Sequence, residues 1–319
     1  MTIIDSNTTL KPTPDSLIAT IGMFDGVHRG HATLLSHLVA EAARLGHKSA
    51  VVTFKQHPQL VFNPDSDLRM ILTVDERLNL IAGFGVDYVI LLDFTPQLAA
   101  FTSSQFMQEL HDTYGISHLI VGFNHHFGHN RQDSFPQYVA QGRELGVTVL
   151  KAPEYLGRYA PVSSSIIRKL ISSGRVEDAA LCLGRPFSLS GIVVHGFKNG
   201  RKIGFPTANV GCLAPTQILP HNGVYAGYAM VDGVQHGAMV NIGCRPTLHN
   251  GKQITVEANL FDFDEDIYDR HITVTFVRFM RYEVMFDGLD GLKHQLASDR
   301  CEAARILADG SHDKQYSDL

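Results

Sequence analysis

Cysteine is scarce: four residues in 319, Cys182, Cys212, Cys244 and Cys301. No two of them form a Cys-x-x-Cys pair, so neither the common structural zinc arrangement nor a dithiol redox motif is indicated. The beginning of the chain lacks a basic-then-apolar leader, and Asp5 to Lys11 is polar. Reduced thiols in a cytoplasmic protein are the expectation, rather than two disulfides. No uninterrupted apolar run approaches the ~20 residues that cross a bilayer. Positive charge is not in excess either. The net charge of -5 gives no general reason to expect nucleic acid or an anionic membrane as a partner. Internal repeats and low-complexity tracts are absent. What remains, 44% hydrophobic and 18% charged residues, is an ordinary globular composition. The length predicts about two domains, each able to bury a core.

The first half alternates strand and helix signals. Leu17–Gly22, Ser49–Phe54, Tyr88–Leu92, His118–Gly122 and Val147–Ala152 are short and mostly apolar, as strands buried on both faces of a parallel sheet are. Leu34, Leu35, Leu38, Val39, Ala42 and Leu45 follow a helical period. Thr73 to Glu76 and Thr102 to Gln105 read as capping boxes, and Phe135 to Leu145 supplies another crossover helix. This order predicts a doubly wound, Rossmann-like α/β sheet, with ligands beyond the carboxyl ends of its strands. Two short helical patterns follow, Ser165–Ser172 and Val176–Leu183, with Gly174 and Gly184 as stops.

From Phe187 the character changes to short strands and turns: Phe187–His195, Val224–Val231, Gln235–Ile242, Thr255–Leu260 and His271–Phe279. Asp232-Gly233 is a hairpin signal, and a final helix runs through Leu292, Leu296, Ala303, Ala304 and Leu307. This predicts an all-β barrel closed by a terminal helix. The expected domains are 1–184 and 185–319.

Two segments carry chemistry. In the first, Gly22-Met23-Phe24-Asp25-Gly26-Val27-His28-Arg29-Gly30-His31 joins a strand to a helix. Gly22 and Gly26 let a turn approach a ligand closely. The N–H groups and positive dipole end of the following helix favour phosphate, and His28 and His31 offer donors to a phosphate that gains charge during reaction. The spacing also suits a pair of metal ligands, or a glycine turn with incidental surface histidines. In the second, Gly200-Arg201-Lys202-Ile203-Gly204-Phe205-Pro206-Thr207-Ala208-Asn209 is a glycine-rich basic turn followed by Pro-Thr-Ala-Asn. Pro206 fixes φ, and Thr207 and Asn209, two apart on an extended segment, share a face. Their hydroxyl and amide oxygens are hard ligands of the kind Mg²⁺ takes together with phosphates and water. An ordinary turn into a strand is the bland alternative.

The first segment resembles the H-x-G-H signature of nucleotidyltransferases. Further along, Val51-Val52-Thr53-Phe54 with His57-Pro58, then Val121-Gly122-Phe123-Asn124-His125-His126-Phe127-Gly128, then Val162-Ser163-Ser164-Ser165-Ile166-Ile167-Arg168 resemble successive motifs of bacterial FAD synthetases. Gly204-Phe205-Pro206-Thr207-Ala208-Asn209 is similar to the riboflavin kinase signature. It is accompanied by Gly223-Val224-Tyr225-Ala226-Gly227, Asn241-Ile242-Gly243, Arg245-Pro246-Thr247, Val256-Glu257, Asp262-Phe263, and Tyr268, Arg281, Glu283 and Phe286. The chain therefore resembles the prokaryotic bifunctional riboflavin kinase/FAD synthetases over about residues 17–307.

The resemblance implies phosphorylation of riboflavin to FMN by Mg²⁺-ATP in the second domain. In the first, FMN and a second ATP would give FAD and pyrophosphate. It implies an adenylylation ATP site of Gly22, Phe24, Asp25, Gly26, His28, Gly30, His31, Asn124, Arg131, Ser163, Ser164, Ser165 and Arg168, with His28 and His31 catalytic. It implies a kinase site of Lys202, Gly204, Pro206, Thr207, Asn209, Glu257 and Arg281, with Thr207 and Asn209 at Mg²⁺ and Glu257 as general base. Four positions depart from the family pattern: Asn124 stands for the usual aspartate, His125 and His126 replace a phenylalanine and a commonly basic residue, and Ser165 stands for threonine. His125, His126 and His129 then form either a polar wall beside the nucleotide or a metal group. Three other readings remain: a kinase with a weakened adenylylation domain, a flavin sensor that only binds, and a transferase for another phosphorylated acceptor.

Overall fold

The computed structural model describes residues 1–5, 17–129, 133–196, 199–246 and 252–310. The chain divides into two compact units, Met1–Val162 and Ser163–Leu319.

The first unit runs β1 (Thr2–Asp5), β2 (Leu17–Ile21), α1 (Arg29–Leu45), β3 (Lys48–Phe54), α2 (Pro58–Phe62), α3 (Val74–Ala82), β4 (Tyr88–Leu92), α4 (Pro96–Ala99), α5 (Ser103–Tyr114), β5 (Ile116–Val121), α6 (Phe135–Glu144) and β6 (Thr148–Lys151). Its six strands form one parallel sheet in the order β1-β4-β3-β2-β5-β6. Alternate residues of each strand face opposite layers. Leu17, Ala19 and Ile21 join Val52 and Ile90 under Phe106, Met107 and Leu110 of α5 and Tyr138 of α6. Ile18, Val51 and Val89 meet Leu34, Leu35 and Leu38 of α1 and Leu78 and Ile81 of α3. Helices on both faces make the sheet doubly wound, as expected. The order reverses between β2 and β5, so the crevice of this fold opens there, beyond the carboxyl ends of the strands.

Local signals explain the helices. Thr73 and Thr102 close reciprocal capping boxes with Glu76 and Gln105. Gly46 and Gly115 end α1 and α5 in the left-handed conformation. Strand β1 was not foreseen in the sequence and is the sheet's edge.

The second unit opens with α7 (Ser164–Ser172) and α8 (Val176–Leu183). It continues with β7 (Phe187–Val194), α9 (Asn199–Lys202), β8 (Ala208–Gly211), β9 (Gly223–Val231), β10 (Val234–Pro246), β11 (Lys252–Leu260), β12 (His271–Arg281) and α10 (Leu289–Ala308). Its six strands close into an antiparallel barrel, β10-β11-β8-β7-β12-β9. Asp232 and Gly233, with φ of 49° and 81°, form the tight turn between β9 and β10. Helix α10 packs Ala303 and Ile306 against Ala226, Met239 and Val277 of the barrel wall. The boundary expected at residue 184/185 follows α7 and α8, whereas the packing limit at 162/163 precedes them. All four cysteines are unbridged. Among the described residues, no helix is long and apolar enough to cross a membrane.

Candidate active sites

In the first unit, the turn after β2 is built by backbone geometry that few sequences tolerate. Phe24, Gly26 and Val27 all have positive φ, at 51°, 86° and 38°. Phe24, almost fully buried, anchors the turn in the α1–α3 layer. Val27 N–H donates to the Phe24 carbonyl at 3.1 Å, and Gly22 N–H donates to Val52 at 3.0 Å. The Asp25 carboxylate is buried and accepts from the backbone amides of Ile71 (3.0 and 3.1 Å) and Leu72 (3.2 Å). Its charge is therefore committed to holding the turn against the approach to α3.

His28 is the N-cap of α1, and its Nδ1 accepts the His31 backbone N–H at 3.3 Å. A neutral His28 ring thus carries its proton on Nε2. The two imidazoles lie stacked with centroids 3.7 Å apart and an interplanar angle of 13°. Gly30 sits against the His28 ring, where a Cβ would come within 3.2 Å. Arg29, buried at the first position of α1, faces the Tyr159 ring with its guanidinium carbon 5.7 Å from the centroid.

Beside the turn, at the carboxyl ends of β3, β4 and β5, is a cavity of about 580 Å³ lined by Met23, Phe54, Phe62, Phe94, Phe101 and His126, among others. Its size and aromatic walls suit a flat, mostly apolar ring system. The wall from β5 is the Val121–Gly128 segment. Phe127 stacks on Tyr138 at 4.4 Å, and the Tyr138 hydroxyl donates to the Phe127 carbonyl at 3.1 Å. Gly128, at φ 88°, lies where a Cβ would come within 2.6 Å of the Ser103 backbone nitrogen at the start of α5.

Asn124 is exposed on this loop. His125 is partly buried along Phe127. His126 and His129 turn their Nδ1 atoms to the carbonyls of Asp133 (3.3 Å) and Ala99 (3.2 Å). Among the described residues, no group of three or more histidines, cysteines or carboxylates could hold a metal ion. Arg131 lies outside the described residues. Ser163, Ser164, Ser165 and Arg168 belong to the second unit. There Ser163 caps α7 by accepting from Ile166 N–H at 3.3 Å, and Ser164 and Ser165 form the first turn.

In the barrel, strand pairing brings the second set together. Glu257 of β11 lies opposite Asn209 of β8, and Thr207, just before β8, donates from Oγ1 to Glu257 Oε2 at 3.2 Å. Pro206 is held by the buried Asn259, whose Nδ2 donates to the Pro206 carbonyl at 2.6 Å. Gly204 takes φ 85° in the turn after α9. Lys202 ends α9, and its side chain lies outside the described set.

Thr207 stands between two cavities. One, about 320 Å³, is lined by Asn241, Glu257, Arg281, Glu283 and Phe286. The other, about 530 Å³, is lined by Arg201, Pro206, Asp264, Asp266 and Tyr268. Thr207 belongs to both linings. The Arg281 guanidinium is pinned by the buried Asp299 of α10 through Nε (2.9 and 3.1 Å) and Nη2 (2.6 Å). Gln295 adds a bond to Asp299 at 2.8 Å. Asn259, Asp299 and Gln295 were not singled out in the sequence, since single polar residues on a strand or helix look like surface.

The first unit is thus a parallel sheet with a strained turn at its switch point, the second a barrel with a Thr–Glu pair between two cavities, and the families that these two units match are those of transfer enzymes. Residues 10–166 match the FAD synthetase family, and residues 183–307 match the riboflavin kinase family. The chain belongs to the family of bifunctional riboflavin kinase/FMN adenylyltransferases. It is 36% identical over 304 residues to the protein of that name from Pseudomonas fluorescens, covering 95% of this chain and 97% of that one. It is 33% identical over 297 residues to its namesake from Bacillus subtilis, covering 91% and 92%. Among solved structures it resembles one described as a macrolide-efflux protein from Streptococcus pneumoniae. The TM-score is 0.85 at 29% identity, over 95% of this chain and 99% of that one.

Proposed function

We propose that the chain makes FAD from riboflavin in two ATP-dependent transfers. Residues 185–319 phosphorylate riboflavin to FMN, and residues 1–184 join FMN to AMP from a second ATP and release pyrophosphate. The observation that carries the kinase reading is the Thr207–Glu257 hydrogen bond at the junction of two cavities. With flavin in one cavity and nucleotide in the other, the Glu257 carboxylate takes the proton of the attacking hydroxyl. Thr207 orients that carboxylate. The Thr207 hydroxyl and Asn209 amide oxygen, beside the Glu257 carboxylate, are hard donors that fit Mg²⁺. When bound, the ion offsets charge on the transferring phosphate.

For adenylylation, the aromatic cavity takes the flavin ring, and the His28–His31 turn takes the ATP phosphates. The FMN phosphate oxygen forms a bond to the α-phosphorus as the bond to pyrophosphate breaks. His28 offers its Nε2–H to the charge that builds on the α-phosphate, a placement in which one donor is worth several kcal/mol. Neither step needs a covalent enzyme intermediate. The use of ATP as substrate supports a cytoplasmic setting.

Incubating the purified chain with riboflavin, ATP and Mg²⁺ and separating the flavins by HPLC tests both halves at once. FAD as end product is expected. Accumulation of FMN alone would favour the second reading, a kinase with a weak adenylylation site, which the uncharged Asn124 on the β5 loop motivates.

A further inference from the structure

Arg77 sits on the inner face of α3 and is 2% exposed, an unusual burial for a guanidinium. Its Nη1 donates to the Met23 carbonyl at 3.0 Å, and its Nη2 donates to the Phe54 carbonyl at 2.5 Å. Those two carbonyls close different structures. Met23 lies inside the Gly22–His31 turn. Phe54 is the last residue of β3, and the side chains of Met23 and Phe54 both line the aromatic cavity. The turn reciprocates: Asp25, 1% exposed, accepts the amides of Ile71 and Leu72, which lead into α3 and its capping box. Turn and helix therefore clamp one another through a buried carboxylate and a buried guanidinium.

Burial pushes the Arg77 guanidinium down to about 10, with Asp25 opposing that shift, so the group remains charged at neutral pH.

We infer that Arg77 is a positioning residue for adenylyl transfer, holding in register the turn that takes the ATP phosphates and the cavity edge that takes the flavin. The inference rests on the adenylylation reading above. Only a planar fork spans two carbonyls that face it from separate strand ends; an ammonium reaches one at a time. Loss of the fork leaves each half-site able to bind but shifts one against the other, and a misplacement of about 1 Å costs on the order of 10²-fold in rate.

The test uses the full chain with Arg77→Lys and Arg77→Met, assayed well below each variant's unfolding transition. FMN adenylylation and riboflavin phosphorylation are measured separately. The expected result is a kcat for FAD formation lowered roughly 10- to 100-fold in both variants. The KM values for FMN and ATP should stay within about threefold, and FMN formation should be unchanged. Lys is the discriminating replacement, because it keeps the charge opposite Asp25. A kcat within about twofold of wild type in Arg77→Lys would mean that Arg77 serves charge balance alone and would overturn the inference. So would a parallel fall of both activities. Wild-type chain that makes no FAD would instead overturn the adenylylation reading, and the positioning role with it.

Discussion

Asp299 on α10 accepts three hydrogen bonds from the guanidinium of Arg281 at the end of β12, at 2.6–3.1 Å. The aspartate is almost fully buried and the arginine about one-fifth exposed. Arg281 also lines the cavity that holds Glu257, so the terminal helix reaches the proposed kinase site through this pair. Removing one partner of a buried pair strands the other charge. Asp299→Ala should destabilise the barrel unit by about 3 kcal/mol, read in denaturant unfolding, and should lower riboflavin phosphorylation while FMN adenylylation persists.

Glu257→Gln keeps the size of the side chain and a hydrogen bond to Thr207 but removes the proposed base. Riboflavin phosphorylation should fall by about 10²–10⁴-fold in kcat, with FAD still formed from supplied FMN. Unaltered kinase turnover in a folded Glu257→Gln chain would assign the proton to another group.

Replacing both His28 and His31 by Ala should abolish FAD formation and spare FMN formation. His28→Ala also removes the N-cap of α1, which costs about 0.5–2 kcal/mol. Thermal unfolding of the single variant separates that loss from the loss of catalysis. An equal drop in both reactions in a folded double variant would contradict the two-site division.

His118 on β5 is held below the usual imidazole range, first by burial and then by His47 and Arg44 nearby. Its ring lies 5.0 Å from that of His47. The unfolded chain therefore binds the proton more readily than the folded one. Stability is full above the ordinary imidazole value near 6.5 and declines as pH falls through and below it. His118→Asn should flatten that part of the stability-against-pH curve for the first unit, measured by unfolding between pH 7.5 and about 5.

The parts of this molecule that were legible in the sequence are those with local causes. The apolar strands from β2 to β6 stand out because a parallel strand covered on both faces must be continuously hydrophobic. Thr73 with Glu76, and Asp232 with Gly233, announce a cap and a hairpin within a few residues. Strand β1 escaped because four residues, Thr2–Asp5, become a strand only by pairing with β4 more than eighty positions away. Strand β8 is as short and merges into the motif that precedes it. Arg77 reads as a surface arginine on an amphipathic helix. Its burial follows from where β2 and β3 end in space, which no helical period reveals. The aromatic cavity was hidden for the same reason, since Phe54, Phe94 and Phe101 come from separate segments that only the sheet order brings side by side.

Strand β1 also bears on how this protein is handled at the bench. It covers the outer edge of β4 in parallel register, Thr2 to Asp5 against Tyr88 to Leu91. Asp5 shares Lys55 with Asp93. A bare strand edge is a template for another chain. A tag or truncation that frees these first five residues would leave β4 open to a neighbouring molecule's strand, whereas the closed barrel offers no such seam.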